Sequence, residues 1–276
     1  MAFNDKYTIS VNYPTSSVNE PRWGHGKPQH QLLREIFERG RDRYAELLRR
    51  FVDLGGKYLT IEAWQDNRRP WEPSLNNPWL PGLDSLALYC ELAILDPVRY
   101  VEVGSGSSTK FAGRSIRDNT LRTEITSIDP EPRAEIDAIC DHILRSPLEQ
   151  IEHSFFETLA INDILFFDGS HRCFMNSDVT VMFLDILPRL KPGVVVQIHD
   201  IYLPDDYPPW WAERYYSEQY LLAAYILAQG QKFDILLPNR FVAQDPQLLG
   251  IVKPILDASE MGEERKVGGS FWLVTK

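Results

Sequence analysis

Tyr100-Val101-Glu102-Val103-Gly104-Ser105-Gly106-Ser107-Ser108-Thr109 is the stretch on which the reading of this chain turns. Four residues of strand composition run into a glycine-rich turn, and Phe111, Ala112 and Ile116 then recur at helical spacing. Glycine serves twice in such a turn. It adopts backbone angles closed to other residues, and it lets a ligand approach with no Cβ in the way. The free N–H groups at the head of the next helix suit a carboxylate or a phosphate. A dinucleotide fingerprint wants glycine or alanine at its third small position, so that helix and strand can close up, but Thr109 stands there. No Gly-Lys-Ser or Gly-Lys-Thr follows, which removes a P-loop. Asp129 ends Thr126-Ser127-Ile128-Asp129-Pro130 about twenty residues further on, where a carboxylate can accept both hydroxyls of a ribose.

Outward from this pair, short apolar runs rich in β-branched residues alternate with helical stretches, the signature of βαβ units around a parallel sheet. Seven strands are expected, at 100–103, 124–128, 150–153, 164–167, 194–198, 233–237 and 270–274. Helices are expected over 109–116, 133–144, 177–190 and 217–229. The fold class is therefore α/β, a doubly wound Rossmann-like sheet whose ligand lies beyond the carboxyl ends of the strands.

Upstream, apolar positions from Leu32 to Phe51 predict one or two amphipathic helices between Gln29 and Leu54, with Gly55-Gly56 as the stop. Pro70, Pro73, Pro78 and Pro81 beside Trp71 and Trp79 predict a loop with aromatic anchors. Asp84 is placed to cap a helix over Ser85 to Leu95. Residues 1–27 read as an extended arm. Two regions result: 1–82, an arm, helix and Pro/Trp loop acting as a cap or an oligomer contact, and 83–276, the domain that carries the glycine turn.

A net charge of -10 argues against nucleic acid and anionic membranes, because phosphate binding needs clustered lysine and arginine. The three cysteines are scattered, which supports neither a disulfide framework nor a zinc knuckle and fits a reducing compartment. With no signal-like leader and no run of about eighteen apolar residues, a cytoplasmic protein is expected.

Polar groups gather at the ends of the fourth and fifth strands, in Asp168-Gly169-Ser170-His171 and His199-Asp200. An imidazole that titrates near neutral pH can take a hydroxyl proton, so His171 or His199 is a candidate general base. The loop Tyr202 to Trp211, with Tyr215, Tyr216 and Tyr220 behind it, offers rigid aromatic area suited to a substrate lid or to a packing plug.

Glu102-x-Gly104-x-Gly106-x-Ser108 and Asp129 together resemble the first motif and the acidic ribose-binding residue of the class I S-adenosylmethionine-dependent methyltransferases. The similarity covers roughly residues 80 to 276. Asp168-Gly169-Ser170-His171, Leu190-Lys191-Pro192-Gly193 and Ile198-His199-Asp200 are similar to its small-molecule O-methyltransferase branch, which includes sugar-tailoring enzymes of bacterial natural-product pathways. The resemblance implies strand order 3-2-1-4-5-7-6 with the last strand antiparallel. It implies S-adenosylmethionine as methyl donor, held by Glu102, Gly104, Ser105, Gly106, Ser107, Ser108, Asp129, Phe155 and Asp168. His171, His199 and Asp200 become the catalytic residues, and a hydroxyl on a small molecule the acceptor.

Some members of that branch bind Mg²⁺ through an aspartate at the fourth strand and an acidic pair at the fifth. The matching positions here are Asp168, His199 and Asp200. His199 stands where a carboxylate is expected, and Mg²⁺ prefers oxygen, whereas a softer divalent ion tolerates imidazole. A metal is therefore not favoured. The alternatives are a donor-binding protein of the same fold that catalyses nothing and, with Thr109 against it, an NAD-dependent oxidoreductase. A homo-oligomer built through the arm is also open.

Overall fold

The computed structural model describes residues 20–228, 232–259, 261–262 and 268–276. Residues 1–19 of the expected arm lie outside these. The elements in chain order are α1 (Gln31–Glu38), α2 (Arg41–Tyr58), α3 (Leu83–Leu95), β1 (Arg99–Val103), α4 (Ser107–Asn119), β2 (Glu124–Ile128), β3 (His142–Leu144), α5 (His153–Phe156), β4 (Ile164–Phe167), α6 (Asp178–Val181), β5 (Val195–Ile198), α7 (Glu218–Leu227), β6 (Phe233–Pro238), α8 (Asn239–Gln244), α9 (Pro246–Ala258) and β7 (Phe271–Thr275).

The strands form one sheet in the order β3-β2-β1-β4-β5-β7-β6. β1 pairs in parallel with β2 and β4, and β7 is antiparallel to β5 and β6. β4 and β5 are buried throughout, so they read as unbroken apolar runs, which strands covered by helices on both faces require. The strand order reverses between β1 and β4, and the loops after both strands meet there. Gly104 sits at φ +80°, and a Cβ on it would lie 1.9 Å from the backbone oxygen of Asp168, so only glycine lets the two loops come this close.

Three expectations are corrected. The third strand is not at 150–153 but at His142–Leu144, inside the stretch 133–144 expected to be helical. It is a three-residue edge strand paired only with β2, and its solvent-facing residues carry no alternation to read. Gly55-Gly56 does not stop α2, which runs on to Tyr58. Gly55 is there because α9 packs against it, and a Cβ would come within 2.4 Å of Ile255 Cδ1. Asp84 does not cap α3. It is buried inside the first turn, and its carboxylate accepts hydrogen bonds from the Asn239 side chain (2.7 Å) and from the backbone N–H of Gly269 (2.7 Å) and Ser270 (2.9 Å), fixing the entry to β7.

The two N-terminal helices share the core with the sheet. Leu33, Phe37, Leu48 and Phe51 are fully covered and belong to the same apolar cluster as α3, β7 and α9. Among the described residues no helix is long and apolar enough to cross a membrane.

Candidate active site

A cavity of about 660 Å³ opens at the carboxyl ends of β1, β2 and β4. Gly104, Ser105, Gly106, Ser107, Ser108, Asp129 and Asp168 all line it, as the sequence places them. The loop is held by its own polar groups. Ser105 N–H donates to Asp129 Oδ2 at 2.7 Å, Glu131 N–H donates to Asp129 Oδ1 at 2.8 Å, and the Ser105 and Ser127 hydroxyls meet at 2.7 Å. Each Asp129 oxygen still has a free lone pair for a hydroxyl in the cavity.

Two predicted contacts are corrected. Glu102 does not reach the cavity. It is fully buried beneath the loop, where it accepts from the Tyr100 hydroxyl (3.0 Å) and the Thr109 hydroxyl. Burial pushes its carboxyl up to about 7 despite bonds from Ser108, Thr109 and Tyr100. Thr109, the residue that spoils a dinucleotide fingerprint, also accepts from Gly106 N–H at 3.0 Å and so ties turn, helix and strand together. Phe155 is likewise absent from the wall, and its ring packs on Phe156 at 5.2 Å. Because β3 comes earlier than expected, the segment that reaches the cavity after it is Pro147-Leu148-Glu149.

The Pro/Trp loop expected as a cap supplies part of the opposite wall through Asn77 and Trp79, and Trp64 and Gln65, which the sequence reading did not single out, complete it from just upstream. Trp79 is largely exposed and has the Arg133 guanidinium 4.8 Å from its ring centroid, while Asn77 braces the loop through Leu80 N–H (2.7 Å) and Trp79 N–H (3.1 Å). Lys110 also lines the cavity; burial lowers its pKa, and its ammonium donates to Gln65 Oε1 at 3.4 Å. Spacing alone gave no sign of Trp64 and Gln65, since what gathers them is the return of a loop from far upstream.

At the floor, Asp168 joins the cavity to a buried cluster. His171 Nε2 lies 3.2 Å from Asp168 Oδ1 and 3.6 Å from Asp200 Oδ2. His199 Nδ1 lies 3.5 Å from both Asp168 Oδ1 and Asp200 Oδ1, and its Nε2 faces Asp84 Oδ2 at 3.7 Å. Behind His171, Nδ1 is bonded to the fully buried carboxylate of Glu218. Burial would lower both imidazoles, but Glu218 and Asp168 hold His171, and Asp200 and Asp168 hold His199, well above the usual histidine value. Burial raises Asp200 and pushes Glu218 up to about 7, whereas the two histidines outweigh burial at Asp168 and hold it low. His171 and Asp200 both have positive φ, +62° and +56°, a conformation that costs a non-glycine residue about 1–3 kcal/mol.

Of the two roles expected for the aromatic segment, lid or packing plug, the second fits, because it does not line this cavity. Tyr202, Tyr207, Trp211 and Tyr216 pack on one another, and Tyr216 lies 4.3 Å from the His171 ring. They form a plug behind the cluster, beside a separate hollow of about 170 Å³.

The donor set also answers whether a cation fits. One ligand atom each from Asp168, His199 and Asp200 lies within 4.8 Å of the others, so the three residues can share an ion. With an imidazole among them, they match Mg²⁺ less well than a metal that accepts nitrogen.

Residues 101–201 match the family model of a methyltransferase domain. No curated protein matches the chain. Among solved structures, it is similar to the methyltransferase PaMTH1 of Podospora anserina in complex with SAH, at 16% identity over 70% of this chain and 77% of that one, with a TM-score of 0.41. The plantazolicin methyltransferase BpumL in complex with SAH aligns at 13% identity over 89% and 99%, TM-score 0.42. The O-methyltransferase TomG of Streptomyces achromogenes, involved in tomaymycin synthesis and in complex with SAM, aligns at 14% over 81% and 95%, TM-score 0.40. At such distances, donor and acceptor have to be read from this chain's own residues.

Proposed function

We propose that this chain, whose residues 101–201 match a methyltransferase domain, moves the methyl group of S-adenosylmethionine onto a hydroxyl oxygen of a small molecule. One observation carries the reading: a single cavity is lined by the glycine loop, Asp129 and Asp168, and Asp168 is paired at its floor with two histidines. Methyl transfer from a sulfonium is an in-line displacement already activated by the donor's positive charge, so alignment is the protein's main contribution. The loop from Gly104 to Ser108 cradles the donor, Asp129 accepts its ribose hydroxyls, and the Lys110 ammonium meets its carboxylate. Asp168, His171, His199 and Asp200 surround the acceptor oxygen; His171 and His199 are held protonated by their carboxylate partners, and Asp200, whose carboxyl burial raises, receives the proton. A divalent ion held there would add Lewis-acid polarisation of that oxygen. Trp64 and Trp79 give the acceptor an apolar wall, which suits a small organic molecule and not an anionic polymer.

Calorimetric titration with S-adenosylmethionine and its demethylated product tests the donor site. Micromolar binding is expected, weakened by about tenfold or more, or 1.4 kcal/mol, in Asp129→Ala. Lys110→Gln should weaken S-adenosylmethionine but leave 5′-methylthioadenosine, which lacks the carboxylate, unchanged. Folded protein that binds neither compound sinks the reading. Incubation with methyl-labelled donor and a panel of hydroxylated small molecules then tests transfer, which Asp200→Asn should abolish while keeping donor affinity.

A further inference from the structure

We propose that Gln65 is a positioning residue through which the carboxylate of S-adenosylmethionine, acting on Lys110, holds the loop 62–76 closed over the cavity. This rests on the donor reading above. The loop begins and ends at one place, because Leu75 N–H donates to the Glu62 carbonyl at 3.0 Å and Asn76 N–H to the Ala63 carbonyl at 2.9 Å. Loops whose ends meet and whose interiors are filled by their own side chains behave as compact units. Gln65 is what fills this one. Its Nε2 reaches the carbonyls of Asp66 (3.3 Å), Arg69 (3.3 Å) and Glu72 (3.2 Å), so one amide ties together three points of the loop. Its Oε1 is left for Lys110, whose Nζ donates to it at 3.4 Å. Trp64 and Gln65 near one end of the loop, and Pro73 and Ser74 near the other, line the cavity.

Helix α4, which starts at the glycine loop, holds the other side of the same segment. Lys110, Arg114 and Arg117 follow one another at helical spacing and so share a face. Arg114 Nη1 lies 3.4 Å and Arg117 Nη2 2.7 Å from the Glu72 carboxylate, and Arg114 Nη2 donates to Thr60 Oγ1 at 2.6 Å. These two arginines grip the loop whether or not a donor is present. Lys110 is the member of the row that is not yet fixed. It is half-buried, the bond from its ammonium to Gln65 is long, and it forms no ion pair among the described residues, Glu135 acting on it only as a nearby charge. An ammonium carries three N–H groups, so it can meet a carboxylate in the cavity and still keep Gln65. Once a carboxylate holds it, the side chain has already lost its rotamer freedom, and its bond to Gln65 no longer has to offset that loss. Trp64, 72% exposed and adjacent to Gln65, is the wall residue that this relay sets in place. The wall against which the acceptor packs is therefore completed by the donor, and the two bind in the order donor, then acceptor.

Linkage makes this testable without an acceptor or turnover, since a donor that closes the loop must bind more weakly, by the same factor, where the loop cannot close. Arg68, with 90% of its side chain exposed, puts a trypsin site, the Arg68–Arg69 bond, at the far end of the loop, and cleavage there tracks the open fraction. Cleavage of the full chain would be followed by mass spectrometry of the fragments, beside calorimetric titration. Saturating S-adenosylmethionine is expected to slow it about fivefold or more, and saturating 5′-methylthioadenosine, which has no carboxylate, to leave it unchanged. In Gln65→Leu, checked by an unchanged circular dichroism spectrum, S-adenosylmethionine should give no protection and should bind more weakly by that same factor, while affinity for 5′-methylthioadenosine stays as it was. Equal protection by the two compounds, cleavage accelerated by the donor, or protection that survives in Gln65→Leu would each overturn the proposal, and the first two are read on the unaltered chain. A chain that binds S-adenosylmethionine without any protection overturns this inference and leaves the proposed function standing, whereas one that binds neither compound removes both.

Discussion

Glu91 shows what a single buried acid does to the stability of this chain. It lies on α3 at 1% exposure, and its Oε1 has no hydrogen-bond partner. Burial pushes its carboxyl up from 4.5 to about 8, against a weak opposing pull from Arg50. A raised carboxyl means that between these two values the folded chain binds a proton that the unfolded chain does not. Folding stability from this group is therefore fully present at acid pH and falls as pH rises, by about 1.4 kcal/mol per unit over that window. Glu91→Gln removes the linkage while keeping the shape. The expected result is a variant close to the unaltered protein at pH 5 and more stable than it by a few kcal/mol at pH 8, read from urea unfolding at several pH values. A difference that stays constant with pH would show that Glu91 is already charged in the folded chain.

At the scale of the element, the same residue type works in opposite ways one position apart. Gly55 and Gly56 are both inside α2, but a Cβ on Gly55 would meet Ile255 Cδ1 at 2.4 Å and Cγ1 at 2.8 Å, whereas nothing lies within 4 Å of Gly56. Ile255 is itself buried and has little room to yield. Gly56→Ala should stabilise the chain by up to about 1 kcal/mol through helix propensity alone. Gly55→Ala should lose that gain and more, since overpacking costs about 1–3 kcal/mol. Adding Ile255→Ala should remove most of the Gly55→Ala penalty, so a double-mutant cycle in urea would show a coupling of about 1 kcal/mol or more; additive effects would refute the clash. This pair also explains why the helix end was misread: Gly-Gly carries the sequence signal of a stop, and only the packing of α9 reveals it as a contact. β4 and β5 were legible because burial on both faces writes an apolar run into the chain, and β1, β2, β6 and β7 because their short stretches are rich in β-branched, aromatic and aliphatic residues. β3 was not, because three edge residues leave no such trace, and Phe155 was misassigned as a consequence.

Over the whole molecule, the glycine loop, Asp129 and the histidine–aspartate cluster could be read because each is local in sequence and falls at a strand end. Trp79 was named as an anchor of the expected cap, but Trp64, Gln65 and Glu218 could not be read, because they arrive through tertiary return: Trp64 and Gln65 from before β1, Glu218 from α7 beyond the aromatic plug. The division after residue 82 was drawn from composition, and the core runs straight across it. Leu33, Phe37, Leu48 and Phe51 are each at most 1% exposed in one cluster with α3 and α9, Tyr58 donates or accepts at 2.8 Å from Ser85, and Arg41 pairs with Asp245 at 2.6 Å. Burying four such apolar side chains contributes about 6–12 kcal/mol, an upper bound because unfolded chains already bury part of this surface. That is comparable with the 5–15 kcal/mol that holds a typical domain together. A chain beginning at Leu83 should therefore fail to fold, giving no near-ultraviolet circular dichroism and no cooperative urea transition. A shorter chain from Leu83 that melts cooperatively would instead make residues 20–82 an appended cap, and S-adenosylmethionine titrated into it would then show how much of the donor site the Trp64–Trp79 wall supplies.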